Sequence, residues 1–147
     1  MVLYKVKIIM EIISDEEFEK IRNECSKCFK ISTKSTPEEY LQFASDCDKI
    51  GAYLARFEYQ QCMAESELKR AEGAAYIAIK KNPNVFGVDK VSETTIKYLI
   101  NVVDEVVTAR EKLAKITYYV SRFRAMRDST IPLRQWIDRN DRFIQNT

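Results

Sequence analysis

The chain has 147 residues, 46% of them hydrophobic and 31% charged, with 24 Lys and Arg against 22 Asp and Glu for a formal charge of +2. That balance describes one folded domain rather than a disordered tail, and it supplies no global attraction toward nucleic acid or acidic lipid. No histidine is present, which removes the commonest general base and metal ligand, and no run reaches the ~18 apolar residues of a membrane span.

The first ten residues are apolar but short in run, interrupted by Lys5 and Lys7, and lack a small-residue cleavage site. They do not make a secretory signal. The expected location is therefore cytoplasmic and reducing (the host cytoplasm for a viral protein). Met10 is a second candidate start, which leaves residues 1–9 as an extension without structural duty. Residues 2–13 are rich in β-branched and aromatic types and suit a short strand or an apolar arm. Ser14 and Glu17 then form a capping box that opens a helix from 15 to about 30. Phe18, Ile21, Cys25 and either Cys28 or Phe29 would face inward. The Ser/Thr-rich stretch 31–35 reads as a linker, so 1–34 forms an N-terminal arm and short helix, and 35–147 the remainder of a single domain.

From 37 to 81 the apolar period is helical. Tyr40, Phe43, Cys47, Ile50, Leu54, Phe57, Gln61, Ala64, Leu68, Ala71, Ala75 and Ala78 recur three or four apart, and only Gln61 is polar. Thr36, Pro37 and Glu39 supply a capping box with proline at the first helical position. Asn82, Pro83 and Gly87 end the run, because proline lacks the donor and glycine loosens the backbone. A second helical pattern, 93–129, carries Ile96, Leu99, Val103, Val106, Ala109, Leu113, Ile116, Val120 and Phe123 behind a Ser92 cap. Glu93 and Asp104 lie toward its start and Arg122, Arg124 and Arg127 toward its end, as the helix dipole favours. Two rods of similar length with a short connection fold back antiparallel. Ala71, Ala74, Ala75 and Ala78 would let the backbones approach closely at the turn. Pro132 then breaks or kinks the chain. Leu133, Trp136, Ile137 and one of Phe143 or Ile144 mark a short, basic final helix. The expected fold is all-α: a long antiparallel helical hairpin with a short N-terminal helix and a short basic C-terminal helix. A hairpin has too little interior to bury both stripes, so further helices, its own or those of another copy, should pack on it.

Catalytic chemistry finds little support. Cys25 and Cys28 form a CxxC, and Cys47 and Cys62 bring the sulfurs to four. The last two lie about four turns apart on one rod, where a single metal cannot reach both. Free thiols in a reducing compartment fit better than zinc or disulfides. Glu65, Glu67, Glu72, Asp104 and Glu105 lack the histidines of a di-metal carboxylate bundle and suit solvated faces. Gly51, Gly73 and Gly87 make no phosphate-cradling loop. The chain reads as a non-enzyme without cofactor or metal.

The basic residues are more informative. Lys69 and Lys80 are eleven apart and share a face, and Arg70 and Lys81 repeat the offset, giving two adjacent basic rows near the turn. From Arg122 onward there are six arginines and no lysine. Of these, Arg122, Arg124 and Arg127 interleave with Phe123, Met126 and Trp136. Guanidinium forks bind phosphate oxygens and aromatic faces stack on bases. The same interleaving arises where arginines cover a helix end and the aromatics pack inside.

This order of features resembles the phage recombination mediators of the UvsY type, small helical proteins that help load a RecA-like recombinase onto single-stranded DNA. The residues that carry the resemblance are Glu67, Leu68, Lys69, Arg70 and Ala71 followed by Tyr76, then the glycine-containing turn and the restart at Val91, Ser92 and Glu93. The tail adds Phe123, Arg124, Ala125, Met126 and Arg127, then Ile131, Arg134, Gln135, Trp136 and Ile137. The match spans residues ~35–140. Where the family carries a double aromatic at the hairpin end, this chain has Tyr76 alone behind alanines. The resemblance implies DNA contact at Lys69 and Arg70, and a homo-oligomer assembled through Leu133, Trp136 and Ile137. It also implies a recombinase partner. The other expectation is a structural or adaptor hairpin, such as a virion component or complex subunit, that docks apolar helix faces on another protein. An enzyme or metal protein would instead retain stoichiometric zinc or iron on purification.

Overall fold

The computed structural model describes residues 12–29 and 36–145, and among these the chain is helical with no strand. The order is α1 (Asp15–Ser26), α2 (Pro37–Lys81), a 3₁₀ turn (Pro83–Phe86), α3 (Glu93–Ile100), α4 (Asp104–Asp128) and α5 (Ile131–Gln145). The arm at 2–11 and the linker at 31–35 lie outside the described residues, as do the side chains of Phe143 and Ile144.

Helix α2 begins where both halves of the capping box close. The Thr36 hydroxyl accepts the Glu39 N–H (3.4 Å), and the Thr36 N–H donates to the Glu39 carboxylate (3.0 Å). The helix then runs 45 residues, about 67 Å at ~1.5 Å per residue. Lys80 and Lys81 occupy its last turn, and the Asn82 N–H donates to the Ala78 carbonyl. The chain reverses through the 3₁₀ turn, which Gly87 closes in the left-handed region at φ 73°, a conformation glycine adopts without steric cost.

The second rod is not continuous as expected from its pattern. It divides at Asn101–Val103 into α3 and α4, with Val103 extended at φ −72°, ψ 126°. The reason is local. Asn101 competes for backbone hydrogen bonds, Val102 and Val103 are β-branched and stiff, and Asp104 and Glu105 favour a fresh helix start, where they complement its dipole. Helix α4 packs antiparallel on α2 and α3 packs beside the turn. Across the hairpin, Glu67 meets Lys112 (2.8 Å), Glu72 meets Arg110 (3.0 Å) and Gln61 donates to the Thr117 hydroxyl (3.2 Å).

The core sits toward the open end of the hairpin, where α1 lies on both arms. Phe18, Phe57, Tyr119 and Phe123 are fully buried with Ile50, Leu54, Ile116 and Val120. Phe18 stacks on Tyr119 at 4.0 Å between centroids and meets Phe57 and Phe123 edge-on. The buried face of α2 departs from the simple stripe at three points. Asp46, Gln60 and Ile79 are buried, whereas Ala78 is exposed and Gln61 half-buried. Asp46 is kept there by work at the end of α1. It accepts the Gln42 amide (2.9 Å) and lies 3.5 Å from the N–H of Phe29, a residue held at φ 68°. The turn-end alanines also depart from expectation. Ala75 is buried, but Ala74 and Ala78 are exposed and border an open groove of about 710 Å³ against Val102, Val103 and Phe86.

Helix α1 is pinned at its start. Ser14 caps it, and the Tyr119 hydroxyl donates to the Asp15 carboxylate at 2.5 Å, with Lys115 at 3.5 Å. The tyrosine hydrogen bond first, and then Lys115, hold the Asp15 carboxyl below its ordinary value of 3.8. Burial, then Asp15, push the Tyr119 phenol up. Asp15 is thus more acidic folded than unfolded, so its contribution is complete above the ordinary value and disappears as pH falls through the lowered one. Comparing wild-type and Asp15→Asn unfolding across pH should give a constant stability difference at neutral pH that shrinks in acid. A difference independent of pH down to pH ~2 would show that the carboxylate charge does not hold α1.

Candidate nucleic-acid interface

The last four turns of α2 present the basic residues to solvent. At about 100° per residue, an eleven-residue step returns a side chain within about 20° of its starting direction. Lys69 and Lys80 therefore form one row, and Arg70 and Lys81 the adjacent one. All four are exposed, and none makes an ion pair among the described residues. The carboxylate between the pairs, Glu72, is turned away to Arg110, and Glu67 to Lys112. These two acids are thus paired across the hairpin, whereas Glu65, one turn before Lys69, is exposed without an ion pair among the described residues, and Arg70 borders the groove that Asp104 and Glu105 also line.

Tyr76 has a structural duty here. Its hydroxyl donates to Glu93 (3.1 Å), fastening α2 to the start of α3, and Lys80 leans over its ring at 5.4 Å and donates to its oxygen at 3.4 Å. The cation–π contact orients Lys80 without cancelling its charge.

The C-terminal arginines lie elsewhere. Arg124 places its fork on Glu58, with Nε at 3.0 Å and Nη2 at 2.8 Å, and Arg127 bonds Asp128 at 3.1 Å. Arg122 is exposed and lines a cleft of about 330 Å³ with Arg22 of α1. Glu58 precedes Lys69 by eleven residues and Lys81 by 23, so about 16–35 Å of α2 separates this group from the turn-end cations. The structure does not gather the seven basic residues into one cluster. Phe123, one of the aromatics interleaved with the arginines, is 0% exposed. It belongs to the core and offers no stacking surface, because the α4 face that carries it is the face that meets α2 and α1.

Leu133, Trp136 and Ile137 are half-buried on α5. Ile137 faces Tyr40, Phe43 and Cys47 of the same chain across a cleft of about 370 Å³. Helix α5 thus lies against the N-terminal third of α2, the end away from the basic rows. The thiols are all free, with Cys25 buried, Cys28 and Cys47 half-buried and Cys62 exposed. Burial raises Cys25 and Cys28 above the ordinary thiol value, with each other's proximity (for Cys25) and Asp46 (for Cys28) next in size. Among the described residues no three potential ligands come close enough to hold a metal.

Two residues on the outer face of α2 escaped the sequence reading. Arg56 and Tyr59 are exposed, and Tyr59 precedes Arg70 by eleven residues. The offset that revealed the basic rows also reaches Tyr59, and its place two residues after Phe57 already sets it off the apolar stripe. No family model, curated protein or solved structure matches the chain.

Proposed function

We propose that the protein is a non-catalytic homo-oligomer that binds single-stranded DNA along the outer face of α2 and helps load a RecA-like recombinase in the cytoplasm. The observation that carries DNA binding is the exposed quartet of Lys69, Arg70, Lys80 and Lys81 on adjacent rows, none in an ion pair among the described residues, with Glu67 and Glu72 paired across the hairpin. Cations held at fixed spacing on a rigid helix bind a phosphate backbone by releasing its counterions. A local basic face can do this although the whole chain carries only +2. Recombinase assistance and assembly through Leu133, Trp136 and Ile137 rest on the resemblance alone.

A second reading has its own observation. Around the turn, Val85, Tyr98 and Val102 are 80%, 72% and 69% exposed, an amount of apolar surface that suits docking to another protein. As an adaptor, the hairpin would assemble without affinity for DNA. Light-scattering mass, measured alone and with a labelled oligo-dT strand at low and high salt, separates the two. A multimer that binds the strand at low salt and releases it at high salt supports the mediator. A multimer indifferent to the strand supports the adaptor. A monomer that ignores DNA sinks both.

A further inference from the structure

The basic rows do not end at Lys69 and Arg70. One further eleven-residue step toward the start of α2 leads to Glu58 and Tyr59. Glu58 is paired with the fork of Arg124, so the Lys69–Lys80 row continues at that level as a neutral ion pair rather than as a free carboxylate. Tyr59 occupies the Arg70–Lys81 row and is 63% exposed. One turn before it stands Arg56, also exposed and without an ion pair among the described residues. The unpaired acid on this stretch, Glu65, is rotated about 120° from Tyr59 but only about 40° from Lys69, one turn further on. The Arg70–Lys81 row, continued through Tyr59 toward Arg56, therefore carries cations on either side of one aromatic ring that stands out of it, with the free carboxylate of Glu65 off this row and beside Lys69.

We infer that Tyr59 is a base-stacking residue and that the strand path runs along α2 from Lys81 past Lys69 and Arg70 to Tyr59 and Arg56. The inference rests on the single-stranded-DNA reading above and specifies its path. Phosphates bind the cations, whereas a phenol ring offers a base its π-face, a contact that every base satisfies and that a duplex with stacked bases does not. Tyr59 is thus the feature on this face that would prefer a single strand over a duplex. Its backbone lies about 33 Å from that of Lys81, so a strand must reach beyond the turn-end quartet to engage it. Nothing in the core requires an aromatic at this position. Phe57, two residues away, supplies the buried ring.

Two measurements on the full chain test this. First, Cys62 lies one turn from Tyr59 and is the exposed thiol among the four. Bound oligo-dT should slow its alkylation several-fold, with Cys25 and Cys28 unaffected. Second, Tyr59→Ala should weaken oligo-dT binding at least about 5-fold, and Tyr59→Phe should retain it. Tyr59→Ala should also cost nothing on an abasic strand of equal length, because no base remains to stack. Oligo-U tests whether the strand must be DNA, and affinity matching oligo-dT would extend the same site to RNA. The inference is overturned if Lys69→Ala/Arg70→Ala weakens binding while Tyr59→Ala does not, or if Cys62 remains equally reactive with DNA bound. Should the wild-type protein show no salt-dependent binding to any strand, the DNA reading itself fails and this path with it.

Discussion

Phe18→Ala is expected to destabilise the protein by about 3–5 kcal/mol, the usual cost of emptying a buried phenyl site. The ring is 1% exposed and is the place where α1 enters the core. It stacks on Tyr119 at 8° between planes and packs its edge on Phe57 and Phe123. The cavity would open between three elements, so collapse of one side chain cannot fill it. Against a total stability of ~5–15 kcal/mol for a domain of this kind, such a loss leaves little margin. Phe18→Leu keeps much of the volume and should cost less, since the stacking is lost but the site stays filled. Urea unfolding followed by circular dichroism checks this. A cooperative transition shifted to much lower urea is the expected result. A loss of unfolding free energy below ~1 kcal/mol would mean that α1 detaches without disturbing the hairpin.

The long elements were legible because their signals are physical and local. Thr36, Pro37 and Glu39 announce the start of α2, and Pro83 and Gly87 announce the reversal. A helical apolar period over 45 residues admits no other structure. What escaped was decided by partners in three dimensions. The break at Asn101–Val103 hides inside a run of valines that keeps the apolar period across the gap, so periodicity alone sees one rod. Asp46 is buried because it accepts an N–H from the end of α1, seventeen residues earlier, and nothing in its neighbourhood along the chain says so. Among the arginines, sequence gives charge but not occupancy. Arg124 is bound by Glu58, 66 residues away, whereas Arg70 and Lys81 are free. Phe123 lies on the apolar stripe of its helix and joins the core, whereas Tyr59 falls between stripe positions, two residues after Phe57, and stands in solvent.

The largest effect on binding should come from neutralising the turn-end quartet together. For single strands each phosphate contact contributes about 0.7 to the slope of log affinity against log salt, so Lys69→Ala/Arg70→Ala/Lys80→Ala/Lys81→Ala should reduce that slope by about 2.8. The same relation places the loss of affinity on the order of 10³-fold at 50 mM salt and 10²-fold at 200 mM, if each cation holds one phosphate. The fold should not suffer. All four side chains are exposed, and alanine is the best helix former. The cost to α2 is the loss of two favourable charges in its last turn and of the Lys80 contact with Tyr76. Neutralising Arg124 and Arg127 should cost less per residue, because each must first leave a carboxylate at 2.8 or 3.1 Å before it can serve a phosphate. A control pair on α1 and at its C-cap, Lys20→Ala/Lys27→Ala, changes net charge without touching the α2 face. Its slope should match wild type. A control that lowers the slope as much per charge removed as the quartet variant does would mean that any attraction to DNA comes from overall charge, and the outer face of α2 would then have no special claim to the strand.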